Sequence, residues 1–122
     1  LTGSKLLRQG ERVGYNGTFA AQRDMQVATV ALGYYEGVDR RLSNKGCMQV
    51  GGVVCPIVGR VSMNITTIDV SLCPNVALGA RVLVFSANPA DANSLQSLAV
   101  MCDTTPLELL VGIPQHLRRV VV

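Results

Sequence analysis

At 122 residues and a formal net charge of +3, the chain has the length of one domain with one hydrophobic core. Hydrophobic residues make up 48% of it but aromatic residues only 4%, so the core is aliphatic, which favours strands and excludes a disordered polymer. Basic residues are scattered apart from the pairs Arg40–Arg41 and Arg118–Arg119, which argues against nucleic-acid binding, and no apolar run reaches the ~20 residues of a membrane-spanning helix.

Taken in chain order, the sequence opens at Leu1 rather than Met in a polar stretch, 2–12, the start expected of a domain cut from a longer protein. A glycine-flanked tyrosine follows in Val13-Gly14-Tyr15-Asn16-Gly17-Thr18. Residues 26–32 are rich in Val and Ala and end at Gly33, which reads as a strand. Residues 47–50 and 53–58 flank Gly51-Gly52, the dipeptide that permits the positive φ angles of a two-residue hairpin. Residues 61–70 predict a partly exposed strand and 81–85 a further one.

In 92–101 the residues Leu95, Leu98, Ala99 and Cys102 recur at helical spacing behind Asp91, which predicts a helix capped by Asp91. Pro106 opens a second, shorter helix over 107–110, closed by Gly112 and Pro114, and 117–122 returns to β character. The expected fold is therefore a single domain over 1–122, mainly β, a compact β-barrel-like body with one or two short helices near the carboxy terminus.

Cys47, Cys55, Cys73 and Cys102 are widely spaced, form no C-x-x-C pair and share the chain with a single histidine, His116, so no metal site is expected. In the absence of a signal peptide, buried free thiols in a reducing cytoplasm are the expected state.

Three loops carry polar or tyrosine-bearing patterns. In the first, Tyr15 sits between glycines that let another chain or a ligand approach; from the residues alone, such a tyrosine is a surface or packing residue. In the second, Gly33-Tyr34-Tyr35-Glu36-Gly37 leads into the densely polar 38–46, where Asp39 pairs locally with the arginines and Asn44-Lys45-Gly46 turns the chain. In the third, Gly59-Arg60-Val61-Ser62-Met63-Asn64, the methionine reads as core filler. There is no Ser/His/Asp set, paired-carboxylate cluster, P-loop or G-x-G-x-x-G, so a self-contained enzyme is not expected.

In order, VGYNGTF (13–19), LGYYEGVDRRLSNKG (32–46), CPIVGRVSMN (55–64) and GIPQHLRRVVV (112–122) resemble successive signatures of the alanine racemase carboxy-terminal domain. The resemblance implies a full-length enzyme with an amino-terminal (β/α)₈ barrel that binds pyridoxal 5′-phosphate through a lysine Schiff base. It implies head-to-tail homodimers in which the β domain of one subunit reaches the cofactor on the barrel of the other. Tyr15 then matches the catalytic tyrosine that exchanges the Cα proton on one face while the barrel lysine serves the other.

A tyrosine has a reference pKa of about 10, so this role needs positive charge nearby, which the resemblance assigns to the partner's barrel. By the same carry-over, the Met63 backbone N–H holds the substrate carboxylate, and Tyr34 and Asn64 line the entryway. Asn64 departs from the Asp common in the family, which changes corridor charge but keeps hydrogen-bonding capacity. Gln115 aligns where many members place a phosphate-contacting tyrosine, a departure that leaves cofactor binding at this position open.

The implied activity is interconversion of L- and D-alanine in the cytoplasm, supplying D-alanine for peptidoglycan, with the isolated domain inert. A serine or broad-specificity racemase shares the same machinery. A non-catalytic β interaction module is the reading from another class, which retention of Tyr15 and Met63 argues against. The related decarboxylases carry a reactive cysteine in an acidic motif, absent here.

Overall fold

A computed structural model describes residues 3–13, 19–73 and 81–111. Within them lie eight strands: β1 (Gly3–Leu7), β2 (Arg12–Val13), β3 (Phe19–Ala20), β4 (Met25–Val30), β5 (Cys47–Val50), β6 (Val53–Pro56), β7 (Thr66–Asp69) and β8 (Val82–Leu83). Two helices follow, α1 (Leu95–Met101) and α2 (Pro106–Val111). The domain is thus mainly β with two short helices, as the sequence predicts. No sheet among the described residues closes into a ring. The strands pair as β1-β4-β7, β2-β3 and β6-β5-β8, all antiparallel, and an Ile57–Ile68 bridge joins the first sheet to the third.

The hairpin at Gly51-Gly52 forms as expected. Both glycines adopt left-handed φ, 59° and 81°, and Val50 pairs with Val53 across them. Such a turn matches the twist of its strands and strongly disfavours side chains with a Cβ. β4 is central to its sheet and buries residues on both faces. Ala28 and Val30 join the main core, whereas Met25 and Val27 pack with Ala21 and Val58 in a smaller one. That division follows from the alternation of side chains along a strand.

Two expectations are corrected, and one strand forms where none is predicted. The strand predicted over 61–70 is shorter, because Ser62 folds the chain back locally. Its N–H and Oγ both donate to the Ile65 carbonyl (3.1 and 2.9 Å), and its Oγ accepts from the Ile65 N–H (3.2 Å), so strand pairing starts only at Thr66. The polar amino-terminal stretch contains a strand, β1, because its backbone completes the ladder on the free edge of β4. Helix α1 starts later than predicted and is capped by Ser94, whose side chain accepts from the Ser97 N–H (3.1 Å).

Asp91 is engaged elsewhere. Its Oδ2 accepts from Ser86 Oγ (2.5 Å) and Gln49 Nε2 (3.1 Å), and these two bonds hold its carboxyl below the usual range. The buried Asn93 completes this network: its Oδ1 accepts from Gln49 (2.8 Å), while its Nδ2 donates to the carbonyls of Leu83 (2.9 Å) and Val84 (3.3 Å). The network ties β5 and β8 to the start of α1. Helix α1 then presents Leu98, Ala99 and Cys102 to the main core, and α2 adds Leu109. The expected helix stop at Gly112 and Pro114 and the β run over 117–122 lie outside the described residues.

Candidate functional site

Two of the three loops singled out in the sequence meet. Gly33 is buried against the backbone of the 62–63 segment: a Cβ there would stand 2.1 Å from the Ser62 carbonyl oxygen and 2.5 Å from the Met63 carbonyl carbon. Only glycine permits this approach. With the chains in contact, the Tyr34 N–H donates to the Ser62 carbonyl and the Tyr35 N–H to the Met63 carbonyl, both at 3.0 Å. Residues 34–36 form one 3-10 turn, ended by Gly37 at a left-handed φ of 103°.

The loop is pinned at both ends. Val38 is buried in the main core, and the buried Thr66 hydroxyl donates to the Leu32 carbonyl (2.6 Å). On the other side, the Gly59 N–H donates to Asn44 Oδ1 (2.6 Å) and the Val61 N–H to Ser43 Oγ (2.8 Å). Asn44 supplies the left-handed turn expected of the Asn44-Lys45-Gly46 stretch, with φ 58°.

The outcome is an exposed rim on which Tyr34, Tyr35, Met63 and Ile65 all show large apolar surfaces to solvent, with Asn64 exposed beside them. Met63 is 49% exposed, so the core-filler reading of its side chain fails. Its N–H has no acceptor among the described residues. The Arg40 guanidinium lies 5.3 Å from the centroid of the Tyr34 ring, placing a cation over the tyrosine face.

The neighbouring Arg41 faces the other way. It makes paired bonds to Asp39 (Nε to Oδ1, 3.0 Å; Nη2 to Oδ2, 2.9 Å), donates to the Cys102 carbonyl (2.8 Å) and reaches Glu108 Oε1 (3.3 Å). The Arg41 hydrogen bonds hold the Asp39 carboxyl below the usual range, and the same partner raises Arg41. Thus the local pairing expected of Asp39 extends to a clamp on both helices, which fixes the turn that carries Arg40. Neither the clamp nor the Asn93 network has a local sequence signal; both join residues more than 40 positions apart.

Tyr15 and Gln115 lie outside the described residues, although the strands flanking Tyr15 pair at Val13–Phe19. Of the site residues taken from the sequence, the structure therefore brings together Tyr34, Met63 and Asn64. Among the described residues no group of His, Cys, Asp and Glu is arranged to hold a metal.

A main-chain N–H on an exposed residue, with no acceptor among the described residues, fits a carboxylate or another anion. A pyridoxal phosphate finds less here: neither of the chain's two lysines, Lys5 in β1 and the exposed Lys45 in the turn before β5, is one of the rim residues Tyr34, Tyr35, Met63, Asn64 and Ile65. The rim fits the substrate side of such a site better than the cofactor's own anchorage.

Fold and rim together define a β domain that presents a loop-built surface. The chain belongs to the family described as alanine racemase, C-terminal domain, which matches residues 1–121. It is 41% identical over 114 residues to the alanine racemase of Brucella ovis, covering 93% of this chain and 28% of that protein. The solved alanine racemase of Bartonella henselae with covalently bound pyridoxal phosphate is similar at a TM-score of 0.85 and 30% identity, covering 98% of this chain and 32% of that one. The biosynthetic alanine racemase of Pseudomonas aeruginosa gives a TM-score of 0.87 at 30% identity, covering 100% and 33%. The chain thus spans about three-tenths of the length of the curated relatives it matches, as with the 28% for Brucella ovis. Racemases are isomerases, and its relatives are of that class.

Proposed function

We propose that this chain is the part of a pyridoxal-phosphate-dependent alanine racemase that brings a tyrosine base and a carboxylate-binding backbone to a shared active site. The observation that carries this reading is the contact of Gly33 with Ser62 and Met63, which sets Tyr34 and a Met63 N–H without an acceptor among the described residues on one exposed rim, in a chain matched by the family along its length. In this reading the Met63 N–H holds the alanine carboxylate, Tyr34 and Asn64 line the way in, and Arg40 steadies the Tyr34 ring. Tyr15 Oη removes or returns the Cα proton on one face, and a base elsewhere in the enzyme serves the opposite face.

When bound, pyridoxal phosphate accommodates the negative charge left at Cα. The cofactor is carried by the barrel of the partner subunit in a head-to-tail homodimer, and the domain is inert alone. The enzyme works in the cytoplasm and supplies D-alanine for peptidoglycan.

The test is racemisation by the full-length protein, followed from L- and from D-alanine, with serine as a comparison. Tyr15→Phe is expected to slow turnover by roughly 10²–10⁴-fold, the range for loss of a positioned acid–base group, with cofactor absorbance retained. Near-normal turnover would remove Tyr15 from this role, and faster racemisation of serine than of alanine would overturn the substrate.

A further inference from the structure

Away from the rim, Cys55 and Cys73 are brought together with chemistry that racemisation does not use. They are 18 positions apart in sequence, one on β6 and one in the turn after β7, yet their sulfurs lie 3.3 Å apart as free thiols in hydrogen-bond contact. Main-chain bonds fix both positions. Cys55 pairs with Met48 in the β5-β6 ladder, and the Cys73 N–H donates to the Val70 carbonyl (2.9 Å), whose own N–H donates to Gln26 (2.9 Å). Their other hydrogen-bond contacts among the described residues are to carbonyl oxygens, Val53 for Cys55 (3.5 Å) and Val50 for Cys73 (3.9 Å). A disulfide spans about 2.05 Å, so the sulfurs have a gap on the order of 1 Å to close.

The two thiols differ in access. Cys55 is 1% exposed within the main core, whereas Cys73 is partly open to solvent. Burial, reinforced by the contact with Cys73, pushes the Cys55 thiol up to about 12. Cys47 and Cys102 are also buried, and neither meets another sulfur among the described residues.

We propose that Cys55 and Cys73 form an oxidisable dithiol, a modification site at which hydrogen peroxide produces a disulfide bond. Cys73 reacts first. Its sulfur attacks the peroxide, the O–O bond breaks, one oxygen stays on sulfur as a sulfenic acid, and the other leaves as water with the thiol proton. The Cys55 sulfur then attacks the Cys73 sulfur, the S–O bond breaks, and the hydroxyl departs as a second water with the Cys55 proton. Each sulfur gives up one electron and the peroxide takes both. Holding the sulfurs in contact offsets the low reactivity of a buried thiol. The bond closes a loop that contains Met63 and Asn64, so oxidation ties together the two ends of the segment that carries one side of the rim.

The experiment uses the full-length protein, reduced, desalted, treated with hydrogen peroxide, alkylated with iodoacetamide and digested with trypsin. Cleavage after Lys45, Arg60 and Arg81 puts Cys55 on peptide 46–60 and Cys73 on peptide 61–81. The expected product is these two peptides joined, two hydrogens lighter than their sum, and separated again by a reductant. Peptide 46–60 also carries Cys47, so fragment spectra must place the alkyl group there. Cys73→Ser or Cys55→Val is expected to abolish the linked product and Cys47→Ala to preserve it. Because Cys73 is partly exposed, its substitution keeps the test valid even where a change at Cys55 disturbs the core. Oxidation of Cys73 to a sulfinic acid without linkage, or linkage through Cys47 or Cys102, would overturn the proposal.

Discussion

A Cβ on Gly33 would come within 2.1 Å of the Ser62 carbonyl oxygen, so the two loops that carry Tyr34 and Met63 touch backbone to backbone. Neither partner is a side chain that can swing aside. Gly33→Ala must therefore part the loops and break the hydrogen bonds from Tyr34 and Tyr35, at a cost of roughly 1–3 kcal/mol, as in other overpacked sites. Urea unfolding of the full-length protein measures it, and an unchanged midpoint would show that the loops separate freely.

Substitutions at Met63 separate side chain from main chain. If the N–H is what binds the carboxylate, Met63→Ala leaves alanine turnover within a few-fold of the parent, since an exposed side chain is removed and the donor stays. Met63→Pro deletes the donor and is expected to lower kcat/KM by about tenfold or more, the effect of losing a charge-assisted hydrogen bond of about 1.5–3 kcal/mol. Unfolding curves for both variants check that the rim survives. Equal losses from the two would place the function in the thioether.

The Asn93 network predicts a stability effect far from the rim. Asn93→Ala removes the buried amide that serves the half-buried carbonyls of Leu83 and Val84 and leaves Gln49 with Asp91 as its remaining partner, and the penalty for a buried polar group left unpaired is roughly 1–3 kcal/mol. Thermal denaturation reads this loss directly. A variant as stable as the parent would mean that water replaces the amide at no cost.

Asp39 gives a pH signature of known sign. Its folded pKa is lowered below the ordinary 3.8, chiefly by the Arg41 side-chain hydrogen bonds, so the folded state binds protons less readily than the unfolded chain. The stabilisation is fully present above that ordinary value and fades as pH falls through the folded one. Asp39→Asn is expected to lower the melting temperature at pH 7 and to differ less from the parent as acid protonates Asp39. A gap between the two proteins that widens on acidification would contradict the assignment.

What the sequence revealed was local. Gly51-Gly52 announced its hairpin because both turn residues need left-handed φ, and α1 was visible because Leu98, Ala99 and Cys102 share one face. The late start of the strand at Thr66 was hidden, since Ser62 and Ile65 fit a strand by composition while the Ser62 hydroxyl decides otherwise. Asp91 looked like the helix cap, but Ser86 and Gln49 compete for its carboxyl and Ser94 takes the role. The rim residues Tyr34, Met63 and Asn64 were legible only through the ordered motifs. Nothing in periodicity shows that Gly33 and Ser62 meet, and the Cys55–Cys73 contact likewise depends on how strands far apart in sequence are laid together.

The rim is assembled from main-chain contacts: a missing Cβ at Gly33, two amide-to-carbonyl bonds and a donor belonging to the peptide unit of Met63. A scaffold made this way leaves its side chains interchangeable. Replacements at positions 35, 63 and 64 can retune the polarity and bulk of the rim without shifting the frame, while position 33 is held to glycine.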